Sequence, residues 1–278
     1  MPAVPGGQSM EKTWSLVRSS WLFFRPNWKL LVPILAFPEL LFAAGRALSA
    51  TKNDVLVILS IVFLIGGWIV YILAYPTVVT GVHNLSSGAP VSGTLGARYK
   101  ASSKYFWWYV FLAVISCFVF FGSFTLFIVP GIIMSIYVAM TMFTMVLEDK
   151  KGLAMFTESY SLIKDRWGQV FVRLLVLGLL CVIFSVIVGF IVGLLLGIFN
   201  IWSPSIAQPI VSLITGSLIG PFSVIYTYKL YLDLKNTRTA LVQTKNFKGW
   251  LVAFLIIGII SAAALITLGI VAYNLQSY

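Results

Sequence analysis

Long apolar runs, separated from one another by short polar stretches, limit what this chain can fold into. A helix needs about 20 apolar residues to cross the hydrocarbon core of a bilayer, which is roughly 30 Å thick. Seven runs approach or exceed that length, and we predict that they form spans at 30–48, 55–82, 105–126, 128–147, 168–199, 209–232 and 250–273. Composition agrees, because hydrophobic residues make up 60% of the chain and charged residues 10%. The sequence therefore predicts an all-α, multi-pass transmembrane helix bundle.

The basic residues predict the orientation of this bundle. If the N-terminus is cytoplasmic, all of the 19 lysine and arginine residues except Arg46 and Lys52 fall on the inner side. This asymmetry is typical of cytoplasmic loops, so we expect the N-terminus inside and the C-terminus outside. The net charge of +11 is then explained by the membrane, and we predict contacts with anionic headgroups on the cytoplasmic side and no nucleic-acid partner.

Amphipathic segments precede the spans. One apolar stripe at helical spacing consists of Phe156, Tyr160, Ile163 and Trp167, and it lies opposite Glu158, Ser161 and Asp165. A second stripe, before the first span, consists of Trp14, Val17, Trp21, Phe24 and Trp28. Such helices suit the bilayer boundary, or the seam between that boundary and a helix bundle. We predict interfacial helices at both places.

An internal repeat accompanies these segments. Residues 20–28 align without gaps with residues 159–167, and residues 95–104 form a weaker copy. We therefore predict a single transmembrane domain, 1–278, built from three units that each contain an interfacial helix and a hairpin, with one added span. The three units and the added span cover 11–82, 93–147, 153–232 and 250–273.

A glycine repeat in the fifth span predicts close helix contact. Gly189, Gly193 and Gly197 recur every four residues and form one smooth face. This face serves either internal helix packing or a homodimer seam, and the sequence leaves both open. Gly216 and Gly220 of the sixth span are expected to face the same region.

Glu39 is an acidic residue deep inside an apolar span. A charge at that depth costs on the order of 3 kcal/mol, so the carboxyl group must be neutral, paired or hydrated. Tyr71 and Tyr137 are expected at the same depth, and we predict that Glu39 is buried against one of their hydroxyls. Glu39 is then either a protonated group that links helices or part of a proton or ion pathway.

Few residues of this chain are candidates for catalysis or for binding a metal. His83 has no Cys, Asp or Glu at ligand spacing, and Cys117 and Cys181 both lie inside predicted spans. No nucleophile, base and orienting group can be assembled with any specificity. We therefore predict no catalytic residues, no metal site and no cofactor, and a protein that is not an enzyme.

The segment 128–171 resembles a known membrane-domain family. The matching residues are Val129-Pro130-Gly131 at the start of a span, Val146-Leu147-Glu148-Asp149 at its end, and then Ala154, Ser159, Leu162, Lys164 and Trp167. These motifs are similar to the membrane domain found attached to some glycerophosphoryl diester phosphodiesterases and to related uncharacterised prokaryotic six-span proteins. The resemblance implies a prokaryotic plasma-membrane protein.

This chain departs from that family in three respects. Thr144 and Met145 stand where the family usually has a proline, and the seventh span has no place in the six-span pattern. The phosphodiesterase barrel, which needs about 250 residues, is also missing from this chain. Because the seventh span has no place in the six-span pattern, it is a candidate partner-binding helix.

Together these patterns predict a non-enzymatic membrane scaffold or assembly platform that contacts lipids and a protein partner or a second copy of itself. The alternative is a small transporter or channel in which Glu39 lies on a polar pathway. A transporter should have a cavity that reaches Glu39, whereas a scaffold should have an exposed small-residue or aromatic seam.

Overall fold

The computed structural model describes residues 10–51, 53–91, 93–201, 203–238 and 245–276. This part of the chain is helical without strands, and seven of its helical segments are long and apolar enough to cross a membrane. The predicted all-α, seven-span fold class is therefore confirmed.

Ten α-helices make up the seven segments. They are α1 (Thr13–Ser49), α2 (Asp54–Ser86), α3 (Leu95–Ser102), α4 (Phe106–Leu126), α5 (Ile128–Val138), α6 (Thr141–Leu147), α7 (Leu153–Ile163), α8 (Trp167–Ile198), α9 (Pro204–Asn236) and α10 (Lys245–Gln276). Short 3₁₀ turns, Ser103–Tyr105 and Lys164–Arg166, join α3 to α4 and α7 to α8.

The two 3₁₀ turns occur in two of the copies of the internal repeat. In both places a short helix ends in a 3₁₀ turn and a long apolar helix follows directly. The first copy differs, because the aligned residues 25–27 remain inside α1. The predicted boundary between an interfacial helix and the first span is therefore absent, and α1 runs continuously for 37 residues.

α1 stays continuous although it contains Pro26, Pro33 and Pro38. A proline inside a helix lacks the N–H that would bond the carbonyl four residues earlier. Pro38 thus releases the carbonyl of Ile34, and the hydroxyl of Tyr99 on α3 donates to that oxygen at 2.5 Å. The carbonyl released by Pro38 therefore has a partner outside α1.

The fourth span differs from prediction in being divided into α5 and α6. The backbone groups at the break lie in the protein interior, where an unpaired group is costly. Ser159 of α7 pairs both of them: its hydroxyl donates to the carbonyl of Tyr137 at 2.5 Å and accepts from the N–H of Met140 at 3.2 Å. One side chain therefore closes the gap between the two helices.

The helices form two compact units, each assembled from segments that are distant in sequence. Unit I takes its described residues from 9–106 and 172–233, and thus contains α1, α2, α3 and most of α8 and α9. Unit II takes its described residues from 107–171 and 234–278. The sequence predicts three consecutive hairpins in one domain, whereas the structure places the first hairpin in the same unit as most of the third.

In unit I, large side chains of one helix pack into the space beside glycines of a neighbouring helix. On the α1–α2 hairpin, Phe42 covers Gly67 and Leu64 covers Gly45, with ring or side-chain carbons 2.8 Å from where a Cβ would stand. Between α8 and α9, a buried cluster is formed by Val188, Val192, Leu196 and Ala207. Packing of this kind holds membrane helices together where hydrophobic burial gives little net gain.

Unit II has a closer helix contact. Gly122 of α4 and Gly258 of α10 face each other, and a Cβ on Gly122 would stand 2.6 Å from the backbone nitrogen of Gly258. A Cβ on Gly258 would overlap the carbonyl oxygen of Phe118. The two backbones touch, so the seventh span is an integral part of unit II.

We predict that Gly258→Ala lowers the thermal stability of the protein in detergent. The added methyl group would meet backbone rather than a movable side chain, and overpacking of this kind costs about 1–3 kcal/mol. Gly269→Ala on the same helix is the matched control, because open space surrounds that position. Equal melting temperatures for the two variants would contradict the backbone contact.

Candidate functional site: the polar strip on α1 and α9

The intramembrane carboxyl group lies against a glycine. A Cβ on Gly216 of α9 would stand 2.5 Å from Cδ and Oε1 of Glu39 on α1. Gly216 therefore makes the space that the carboxyl group occupies. One turn further along α9, Gly220 makes the same space for Leu35.

A basic group lies on the same helix pair. Arg46 follows Glu39 by seven residues, which is two helical turns or about 10 Å along α1. Its Nη1 donates to the hydroxyl of Ser212 on α9 at 2.7 Å. Ser212 precedes Gly216 by four residues, so all four residues lie along one seam, which we call the polar strip (Glu39, Arg46, Ser212 and Gly216).

The polar strip reduces the cost of placing Glu39 in a span. Opposite charges in the same low-dielectric seam attract each other more strongly than in water. The half-buried carboxyl group thus has a basic residue on its own helix, although the charge pattern of the sequence assigned Arg46 only to the outer side. Two spacings in the sequence could have indicated the polar strip: seven residues separate Glu39 from Arg46, and four separate Ser212 from Gly216.

The two tyrosines predicted as partners of Glu39 lie in aromatic clusters. The ring of Tyr71 packs against Phe42, Trp68 and Tyr75, with centroids 5.0 to 6.0 Å apart. The ring of Tyr137 lies 4.8 Å from Tyr160, between ring centroids. A hydrogen bond from Glu39 to either hydroxyl stays a prediction, and the neighbour that the structure gives the carboxyl group is Gly216.

The glycine face of α8 is open at two of its three positions. No described atom lies within 4 Å of a Cβ added to Gly189 or Gly197, and Gly193 between them is partly exposed. The residues through which α8 packs on α9 are instead Val188, Val192 and Leu196. Gly216 and Gly220 face α1, so the two glycine sets have different surroundings, contrary to expectation.

The amphipathic stripe on α7 is buried in part. Phe156 and Ile163 are fully buried, Tyr160 stacks on Phe247 of α10 with centroids 4.1 Å apart, and Trp167 stacks on Phe171. In the stripe of α1, Phe24 is buried, whereas Trp14, Trp21 and Trp28 are exposed by 73%, 53% and 47%.

The predicted polar face is covered at Glu158 and Ser161, whereas Asp165, in the 3₁₀ turn after α7, is exposed. Arg238 donates through Nη1 to Glu158 at 2.6 Å and through Nη2 to the hydroxyl of Ser161 at 3.1 Å. Of the two settings predicted for this helix, the seam with a helix bundle accounts for these contacts. A position at the bilayer boundary stays a prediction.

An aromatic groove of about 410 Å³ opens beside α7. Its lining comes from α5, α7 and α10 and includes Tyr137, Tyr160, Phe247, Trp250 and Phe254. Glu39 does not line this groove. Among the described residues no cluster of His, Cys, Asp and Glu could hold a metal ion, and Cys117 and Cys181 are free thiols.

Comparison with known proteins identifies no relative. No family model, no curated protein and no solved structure matches this chain.

We predict that Ser159→Ala destabilises unit II. The change would leave the buried carbonyl of Tyr137 and the buried N–H of Met140 without their partner, at a cost of about 1–3 kcal/mol for each group. Ser135→Ala is the matched control on α5, because that hydroxyl donates to a carbonyl of its own helix. Thermal unfolding in detergent measures both; a Ser159→Ala protein as stable as the control would contradict the role of Ser159.

Proposed function

We propose that this protein is a non-enzymatic, multi-pass membrane protein that acts as a scaffold or assembly platform, contacting lipids and a protein partner or a second copy of itself. The observation that carries the proposal is the open space at Gly189 and Gly197 on the glycine face of α8, which also contains Gly193. Small-residue faces on transmembrane helices allow close approach of another helix. Since no described atom of this chain fills the space at Gly189 or Gly197, a helix from another chain fits there.

The proposed setting is a prokaryotic plasma membrane, with the N-terminus in the cytoplasm and the C-terminus outside. Support comes from the one-sided distribution of lysine and arginine and from the resemblance to the six-span membrane-domain family. In this orientation the exposed tryptophans near the start of α1 lie at the inner boundary, where amphipathic rings are enriched. The basic residues there would attract anionic headgroups.

We predict that a cysteine at position 197 forms an intermolecular disulfide in membranes. The Gly197→Cys variant is prepared with Cys117 and Cys181 replaced by alanine, and copper phenanthroline is added as oxidant. Leu195→Cys is the matched control, because Leu195 lies at almost the same depth but two residues, or about 200°, around the helix. A dimer should form with Gly197→Cys and not with Leu195→Cys.

Assembly through the glycine face of α8 can be measured in a second way. Native mass spectrometry of the unmodified chain, released from nanodiscs, should show a defined oligomer or a retained protein partner. Gly193→Leu should reduce the assembly to single chains, because its side chain would fill the glycine face. The platform proposal would be contradicted if the unmodified chain and the Gly193→Leu variant were both monomers and if cysteines at positions 195 and 197 crosslinked equally.

A transporter or channel is the second candidate, and the polar strip favours it. A carboxyl group and a guanidinium group within one membrane-spanning seam, on a helix with three internal prolines, are features found in ion pathways. Glu39, however, lines neither of the two grooves described in this structure.

We predict that Glu39→Gln leaves proton flux unchanged in proteoliposomes that contain a pH-sensitive dye. The platform proposal assigns Glu39 to helix contact, and glutamine keeps its shape and its fit on Gly216. Asp54→Asn, which removes an exposed carboxyl group outside the polar strip, is the control. A flux in the unmodified protein that is lost with Glu39→Gln and kept with Asp54→Asn would establish the second candidate instead.

A further inference from the structure

A second groove, of about 310 Å³, lies in unit I between the last third of α2 and the short helix α3. From α2 it is lined by Thr77, Thr80 and Asn84, and from α3 by Arg98 and Ser102. These positions repeat at three and four residues, so each helix presents one face to the groove. The volume lies within the range of small-molecule sites, about 300–1,000 Å³.

The lining of this groove is positively charged. Arg98 and Lys104 both line it, and no acidic side chain is among its described lining residues. The ammonium group of Lys104 lies 4.8 Å from the centre of the Tyr105 ring, which also lines the groove. Two cations without a neighbouring carboxylate favour an anionic ligand.

Backbone contacts fix Arg98 in position. Its Nη1 donates to the carbonyl of Leu30 on α1 at 3.2 Å, and the adjacent Tyr99 donates to the carbonyl of Ile34. The guanidinium is therefore held by α1 rather than extended freely toward the membrane surface. Its buried Nε has no acceptor among the described atoms, so Arg98 retains hydrogen-bonding capacity that costs free energy while it is unmet.

Neutral donors stand beside the cations. Ser102 is only 3% exposed and lines the groove. Asn84 adds a side-chain amide on the facing helix. Arginine, hydroxyl and amide donors around one concave site match the several acceptor oxygens of a phosphate group.

We propose that this groove binds a phosphate group through Arg98, Lys104 and Ser102. The phosphate belongs either to the headgroup of an anionic phospholipid or to a free phosphate in the aqueous phase. The proposal deepens the lipid contact in the proposed function but does not rest on the glycine face of α8, and its test reads binding rather than assembly.

The test uses the full chain in nanodiscs of phosphatidylcholine. Retention of added phosphatidylglycerol is read by native mass spectrometry, and binding of inorganic phosphate is read by equilibrium dialysis with labelled phosphate. The variants are Arg98→Gln, Lys104→Gln and Ala101→Leu, the last of which narrows the groove without changing its charge. Lys100→Gln is the matched control, because Lys100 is an exposed cation of α3 outside the groove.

We expect Arg98→Gln and Lys104→Gln to weaken binding by about tenfold or more, as loss of a hydrogen bond to a charged group does. Ala101→Leu should weaken binding because its larger side chain occupies space in the groove, while Lys100→Gln stays close to the unmodified protein. Loss of phosphatidylglycerol retention identifies the lipid headgroup as the ligand, and loss of inorganic phosphate binding identifies a free phosphate. If Arg98→Gln fails to fold, Lys104→Gln and Ala101→Leu decide. The proposal is overturned if neither probe distinguishes the groove variants from Lys100→Gln.

Discussion

Pairing of backbone groups within a span is the constraint on which the rest of this structure depends, because hydrocarbon offers no substitute partner. At two places where backbone groups are left without a partner in their own helix, a side chain of a different helix pairs them. Tyr99 serves the carbonyl released by Pro38, and Ser159 serves both groups at the division between α5 and α6. The short helices α3 and α7 are thereby fixed in place, and both grooves are lined in part by them.

Side-chain size is the second determinant of packing, and glycines are used in two ways. In unit I, glycines receive large side chains: Phe42 on Gly67, Leu35 on Gly220, and the carboxyl group of Glu39 on Gly216. In unit II, Gly122 and Gly258 bring two backbones into contact. Gly189 and Gly197 of α8 do neither within the described chain, and for that reason they carry the proposed function.

Much of the fold could be predicted from hydropathy alone, since seven apolar runs of sufficient length leave few alternatives to seven spans. The packing between helices could not, because it depends on which face of each helix meets which neighbour. Glu39 shows the difference: its depth follows from counting residues, but its place on Gly216 requires knowing that α1 packs on α9. Likewise, the apolar stripe predicted that α7 is amphipathic. It could not predict that Glu158 on the polar side pairs with Arg238, which is 80 residues away in the sequence.

The contact between Gly122 and Gly258 has a consequence for biosynthesis. The two glycines are 136 residues apart, and all of α8 and α9 is synthesised between them. The face of α4 that carries Gly122 therefore has to remain without its final partner while three further spans are synthesised, namely α5 with α6, α8 and α9. Completion of unit II thus waits until α10 has left the ribosome.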